Sequence, residues 1–117
     1  MINKKISFDK FIILKNDFTD NNLSLENQFK NSLLYEDMFL AKYIFEETYI
    51  DIGWISYDDS FENGFFKIIV FKNDFYNDPI FESKSKNYNS LIKGINKAIS
   101  FIEANFTPDS SDLSTLR

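Results

Sequence analysis

Two apolar runs joined by an acidic connection constrain this chain most. Residues 49–73 read YIDIGWISY, then DDSFENG, then FFKIIVFKN. Apolar residues alternate on each side of a turn-like segment, which is the pattern of a β-hairpin. Asn63-Gly64 alone is a strong two-residue turn signal. That turn would set Asp59 beside Ile68 and Ile55 beside Lys72, mixing the faces. A longer loop over 58–64 sets Tyr57 beside Phe65, Trp54 beside Ile68, Ile52 beside Val70 and Ile50 beside Lys72. A slip of one residue turns every side chain to the wrong face. The longer loop is therefore expected, with Asp58, Asp59 and Glu62 at an exposed tip.

This pairing predicts two unlike faces. Ile52, Trp54, Ile68 and Val70 fall on one, which is expected to be core. Tyr49, Asp51, Gly53, Ile55 and Tyr57 fall on the other, with Phe65, Lys67, Ile69 and Phe71 of the second strand. That face is too apolar for a plain solvent face. Either the N-terminal segment covers it, or it is a partner site rich in aromatics.

The flanking segments supply the other elements. Residues 6–14, ISFDKFIIL, are read as a strand with Ile6, Phe8, Ile12 and Leu14 on one face, followed by a polar turn near Thr19-Asp20-Asn21-Asn22. A helix is expected from Ser24, a good N-cap, with Glu26 in its first turn and Leu25, Phe29 and Leu33 as its stripe. Residues 36–47 fit either a strand, through Phe39, Ala41, Tyr43 and Phe45, or a helix continued through Met38, Ala41 and Phe45. After Pro79, IFESK reads as a short strand at an edge. A long helix capped by Asn87 or Asn89 runs to about Asn105 on the stripe Leu91, Ile92, Ile95, Ala98, Ile99 and Ile102. Gly94 within it would permit close packing on the sheet. The predicted class is α+β: an antiparallel sheet of three to five strands around the hairpin 49–73, with an N-terminal helix and a long C-terminal helix packed on it. One domain over 1–107 and a flexible tail over 108–117 are expected.

Composition excludes several chemistries. The chain has 117 residues, no Cys and no His. Disulfides, thiolate metal sites and the Ser-His and Cys-His nucleophile pairs are therefore impossible within it. Gly occurs only at 53, 64 and 94, so neither a P-loop nor a G-x-G-x-x-G turn exists. Asp58, Asp59 and Glu62 are of the right type for a hard cation, but the D-x-D-x-D-G-x5-E spacing is missing. Glu46, Glu47 and Asp51 have no diagnostic acid–base spacing. No enzyme activity, cofactor or metal is expected. The basic start, MINKKISFDKFIIL, has its apolar run interrupted by Asp9 and Lys10, unlike a signal peptide, and no stretch approaches a membrane span. A cytoplasmic protein is expected.

Charge is unevenly placed. The net charge is −5. Residues 1–62 hold six Lys against twelve Asp/Glu, a net of −6, while residues 63–117 are near neutral. Within 36–62 Lys42 faces eight acids. Such a segment disfavours phosphate backbones and attracts a basic partner. The candidate partner-binding residues are Glu46, Glu47, Asp51, Asp58, Asp59 and Glu62 for charge, with Tyr49 and Tyr57 as anchors.

In size, acidity, freedom from His and Cys and mixed α+β pattern, the chain resembles the small acidic immunity proteins of bacterial toxin systems, including contact-dependent growth inhibition. The resemblance implies a stoichiometric inhibitor that occludes a cognate toxin domain with a basic surface, in that setting a nuclease. It implies no direct nucleic-acid or membrane binding. Three other readings stay open: a phage inhibitor of a host defence complex whose carboxylates mimic phosphates, a homodimeric structural subunit, and, against the expectation above, an enzyme using carboxylates or lysine. The order of elements is also similar to double-stranded-RNA-binding domains, but the charge is opposite and their basic loop is missing.

Overall fold

The computed structural model describes residues 6–18, 22–74 and 78–106. Five strands form one antiparallel sheet in simple sequential order: β1 (Phe11–Asn16), β2 (Phe39–Tyr43), β3 (Thr48–Ile55), β4 (Phe65–Lys72) and β5 (Phe81–Ser85). Two helices complete the described residues, α1 (Leu25–Lys30) and α2 (Tyr88–Asn105). No described helix is long and apolar enough to cross a membrane. The tail expected over 108–117 and most of the turn around Thr19-Asp20-Asn21 lie outside the described residues.

The central hairpin keeps its predicted faces but not its predicted partners. Trp54 lies opposite Phe66, Ile52 opposite Ile68 and Ile50 opposite Val70. Every pair is displaced by two residues from the expected register, and the connection spans 56–64. An even displacement leaves each side chain on its own face, because side chains alternate with period two. The observed register matches aromatic rings on both faces: Trp54 meets Phe66 edge-on at 5.1 Å, and Tyr49 stacks on Phe71 at 4.9 Å. Such cross-strand pairs stabilise a sheet by about 0.2–1 kcal/mol each.

Of the two readings of residues 36–47 the strand holds, over Phe39–Tyr43. Phe39, Ala41 and Tyr43 are buried at every second position, whereas Phe45 sits in the β2–β3 turn. The first helix is shorter than its apolar stripe suggests. The Ser24 side chain caps it by accepting from Asn27 N–H at 3.2 Å. Asn31 ends it by bonding back to the Asn27 carbonyl, and Ser32 then takes a φ of 59°, which no helix continues. Leu33 therefore falls outside.

Everything apolar in the helices packs on one face of the sheet. Leu91, Ile95, Ala98 and Ile102 of α2 are fully buried and join Ile50, Ile52, Ile68 and Val70 in one cluster. Burying each large aliphatic side chain contributes about 1.5–3 kcal/mol. Gly94 allows this approach: a Cβ there would lie 2.7 Å from Ile68 Cδ1. The Asn87 side chain caps α2 by accepting from Ser90 N–H. Phe29 of α1 reaches Trp54 at 6.5 Å, and Gln28 accepts from the Tyr88 hydroxyl at 3.0 Å, tying α1 to α2.

The N-terminal segment was expected to be a strand from residue 6, which is corrected, and of the two alternatives for the second hairpin face its described residues do not take the covering one. A turn at Asp9-Lys10 delays the strand to Phe11. Phe8 then packs on Phe39 at 5.2 Å and Phe18 on Phe66 at 5.9 Å, all on the helix-bearing face. Ile12 and Leu14, expected to share a face with Ile6 and Phe8, are exposed instead. The opposite face of the sheet carries no helix among the described residues.

Candidate functional site

That open face is built by every second residue of five strands. Lys42 of β2, Tyr49 of β3 and Phe71 of β4 make one row across it. Leu40, Asp51, Ile69 and Glu82 make the next, and Gly53, Lys67 and Lys84 a third. Ile55 and Phe65 lie beyond. Most of these side chains are half-buried. The Lys84 ammonium stands 5.0 Å from the Phe65 ring centroid, and Lys67 pairs with Glu82 at 3.4 Å.

A depression of about 180 Å³ opens on this face between Glu36, Asp51, Ile55, Lys67 and Ile69. Its rim is set by backbone. Residues 35–38 run beside β3, with Trp54 N–H donating to the Tyr35 carbonyl at 2.7 Å and Met38 N–H to the Ile52 carbonyl at 3.1 Å. This carries Glu36 across Gly53. Asp51 lies at the floor. Among the described residues its carboxylate has no hydrogen-bond donor and no cation within 4 Å. Burial first, and the neighbouring Asp37 second, push its pKa up to about 6, with Lys15 offsetting part of the effect. Lys15 is held elsewhere, by Asp37 at 3.3 Å and Asp17 at 3.5 Å.

The eight sequence-predicted residues do not form one patch. Glu46 and Glu47 lie in the β2–β3 turn, and Asp58, Asp59 and Glu62 lie in the β3–β4 loop. The length of β3, about 25 Å of strand, separates the two groups. The turn acids are neutralised locally: Lys42 bridges Glu47 at 2.9 Å, and Lys72 reaches Glu46 at 3.9 Å. The Tyr49 hydroxyl donates to Glu47 at 2.5 Å, which with Lys42 holds that carboxyl below its ordinary range. Tyr49 is thus a stacked, hydrogen-bonded member of the open face. Tyr57 is 82% exposed, beside Phe65 at 6.2 Å.

The β3–β4 loop is a folded structure rather than a free tip. Phe61 turns inward and stacks on Trp54 at 5.6 Å, and Phe29 closes a three-ring cluster at 5.9 Å from Phe61 and 6.5 Å from Trp54. Asp58 organises the chain around it. Its carboxylate accepts from the Ser60 hydroxyl at 2.7 Å, Asn63 Nδ2 at 2.6 Å and Ser60 N–H at 3.1 Å. These bonds, the Ser60 hydroxyl foremost, hold its pKa down to about 2. Lys86 pins the loop from outside by donating to the Glu62 carbonyl at 2.6 Å. Asp59 adopts a φ of 58°, a conformation in which Asp is among the better-tolerated residues. Asp58 is thus a staple for the loop, and Asp59 and Glu62 are its outward charges.

Asp58→Asn is expected to lower the melting temperature and to raise amide exchange within 56–64 specifically. The sign follows from linkage. A carboxyl whose folded value lies below its ordinary 3.8 adds stability above about pH 4, lost as pH falls toward 2. Thermal scans of both proteins between pH 2 and 7 should therefore converge at the acid end. A constant gap across that range would exclude the staple.

Sequence reasoning missed Glu36, whose place on the rim depends on how residues 35–38 cross Gly53. Ile55, Phe65, Lys67 and Ile69 were legible as one face but not as the walls of a depression. The chain matches no protein-family model, no curated protein and no solved structure. The functional reading therefore rests on geometry.

Proposed function

We propose that this chain is a non-enzymatic, stoichiometric inhibitor of the toxin-immunity kind. It occludes a protein partner with a basic surface through the open face of its sheet. The observation that carries this reading is the face itself. Ile55 and Ile69 line a depression with a carboxylate, Asp51, that has been partly taken out of water and, among the described residues, has no cation within 4 Å. A solvated face has no need of such an arrangement. Interface cores combine aromatic and aliphatic anchors with few charges, and complementary charge near them speeds association. Asp59 and Glu62 add negative charge in the β3–β4 loop, at one end of the sheet. The acids are divided between two ends, and two of them are paired with lysines. That division speaks against a continuous phosphate-like track.

The test begins with recovery of the partner from the source cell on tagged chain and formation of a one-to-one complex from the purified components. The double variant Asp59→Asn with Glu62→Gln keeps the loop conformation and removes its outward charge. It is expected to slow association several-fold at low salt and hardly at all at high salt. An acidic partner, or a complex indifferent to Ile55→Asp on the open face, would overturn the proposal.

A second reading has its own observation. β1 is an edge strand with Ile12, Ile13 and Leu14 exposed at 51%, 41% and 52%. Apolar edges favour strand pairing between chains, so a homodimer closed through β1 competes with the proposal. Sedimentation of the purified chain over a range of concentrations decides between a dimer and a monomer awaiting its partner.

A further inference from the structure

We propose that the depression between Glu36, Asp51, Ile55, Lys67 and Ile69 is a receptor for one basic side chain of the protein partner, an arginine for preference, with Asp51 as its charge partner. This rests on the reading that the open face binds a protein.

The charge around the depression is what selects a cation. Lys67 is matched by Glu82 at 3.4 Å, and Lys15 by Asp37 and Asp17. Glu36 and Asp51 have no such partner among the described residues, so the depression has an uncompensated negative balance. Its size, about 180 Å³, suits one side chain rather than a larger group. Its walls are the aliphatic Ile55 and Ile69. An aliphatic wall with a carboxylate floor suits an arginine. Its methylene stem packs on the walls while its planar head meets the carboxylate through two N–H donors. An entering cation would also relieve the cost that Asp51 bears when ionised and half-buried without a partner. The titratable groups facing Asp51 are Glu36 and Asp37 from the crossing segment, Lys15 from β1, Lys67 from β4 and Glu82 from β5.

The receptor can be tested on the chain alone, independently of any partner. N-acetyl-argininamide is titrated into the protein at constant chloride, and the Asp51 carboxyl carbon and backbone amides are followed by nuclear magnetic resonance. Its uncharged analogue, N-acetyl-citrullinamide, is the control. The arginine probe is expected to give saturable shifts at Asp51, Ile55, Lys67 and Ile69. It should lower the Asp51 titration midpoint by about one unit. Neither effect should appear with citrulline, nor in Asp51→Asn. Shifts that fail to saturate, that occur equally with citrulline, or that persist in Asp51→Asn overturn the receptor. Binding of the probe with no one-to-one protein complex would keep the receptor and remove the inhibitor reading. A complex formed by a protein that never responds to the probe would do the reverse.

Discussion

Gly53→Ala is expected to destabilise the protein by about 3 kcal/mol, the upper end of the usual cost of overpacking. A Cβ at this position would stand 1.7 Å from the Glu36 carbonyl oxygen and 2.4 Å from its carbon. Both atoms are backbone, so no rotamer change relieves the clash. The backbone itself is pinned on either side, by Trp54 N–H on the Tyr35 carbonyl and by Met38 N–H on the Ile52 carbonyl. Relief requires breaking one of these bonds or bending β3 at the centre of the sheet. Urea unfolding followed by circular dichroism measures the loss directly. A loss below about 1 kcal/mol would mean that residues 35–38 shift freely. The rim of the depression would then be soft rather than built.

The second large effect runs in the opposite direction. Asp51→Asn is expected to stabilise the chain at pH 7 by about 1–2 kcal/mol, once the shift is discounted for the solvent that still reaches this half-buried group. Its folded value of about 6 lies above the ordinary 3.8. Between those values the folded chain holds a proton that the unfolded chain releases. The Asp51 contribution to stability is therefore greatest below about pH 4, falls as pH rises through 6, and stays low above that. Other carboxyls act oppositely, Asp58 among them, so the measurement is the difference between wild type and variant. That difference should be near zero at pH 4 and should open in favour of the variant by pH 7. A variant less stable than wild type at pH 7 would show that Asp51 has a partner. Stability surrendered at one position is what a binding surface exacts when it keeps a charge ready for another molecule.

How much of this was legible beforehand depends on whether the cause was local. The Ser24 and Asn87 caps are local events, and both are where side-chain chemistry puts them. The two hairpin faces were legible because alternation is a property of each strand alone. The register was not, because it is decided by Phe61 folding back onto Trp54 and by the Trp54–Phe66 and Tyr49–Phe71 pairs. Residues 36–47 carry two periodicities at once, and only pairing to β1 and β3 selects the strand. At the site, nearness in sequence misled. Glu46 and Glu47 look like part of the same acidic segment as Asp58 and Asp59, yet a strand separates them and lysines of β2 and β4 neutralise the first pair. Asp51 was singled out for its charge. Its burial depends on Leu40, Ile69 and the crossing of residues 35–38, none of which the sequence reveals.

The simple strand order of the sheet bears on how the chain is made. Every strand pairs with the one before it in sequence, so the sheet can grow by successive neighbour pairings without threading, which favours fast folding. The helix that covers the sheet is synthesised after all five strands. During translation the row of Ile50, Ile52, Ile68 and Val70 has no α2 to cover it for a time on the order of seconds. In that interval both faces of the nascent sheet are apolar and available, and premature association is the chief hazard. Slowing synthesis between β5 and α2 should therefore lower the yield of soluble chain more than slowing it anywhere upstream.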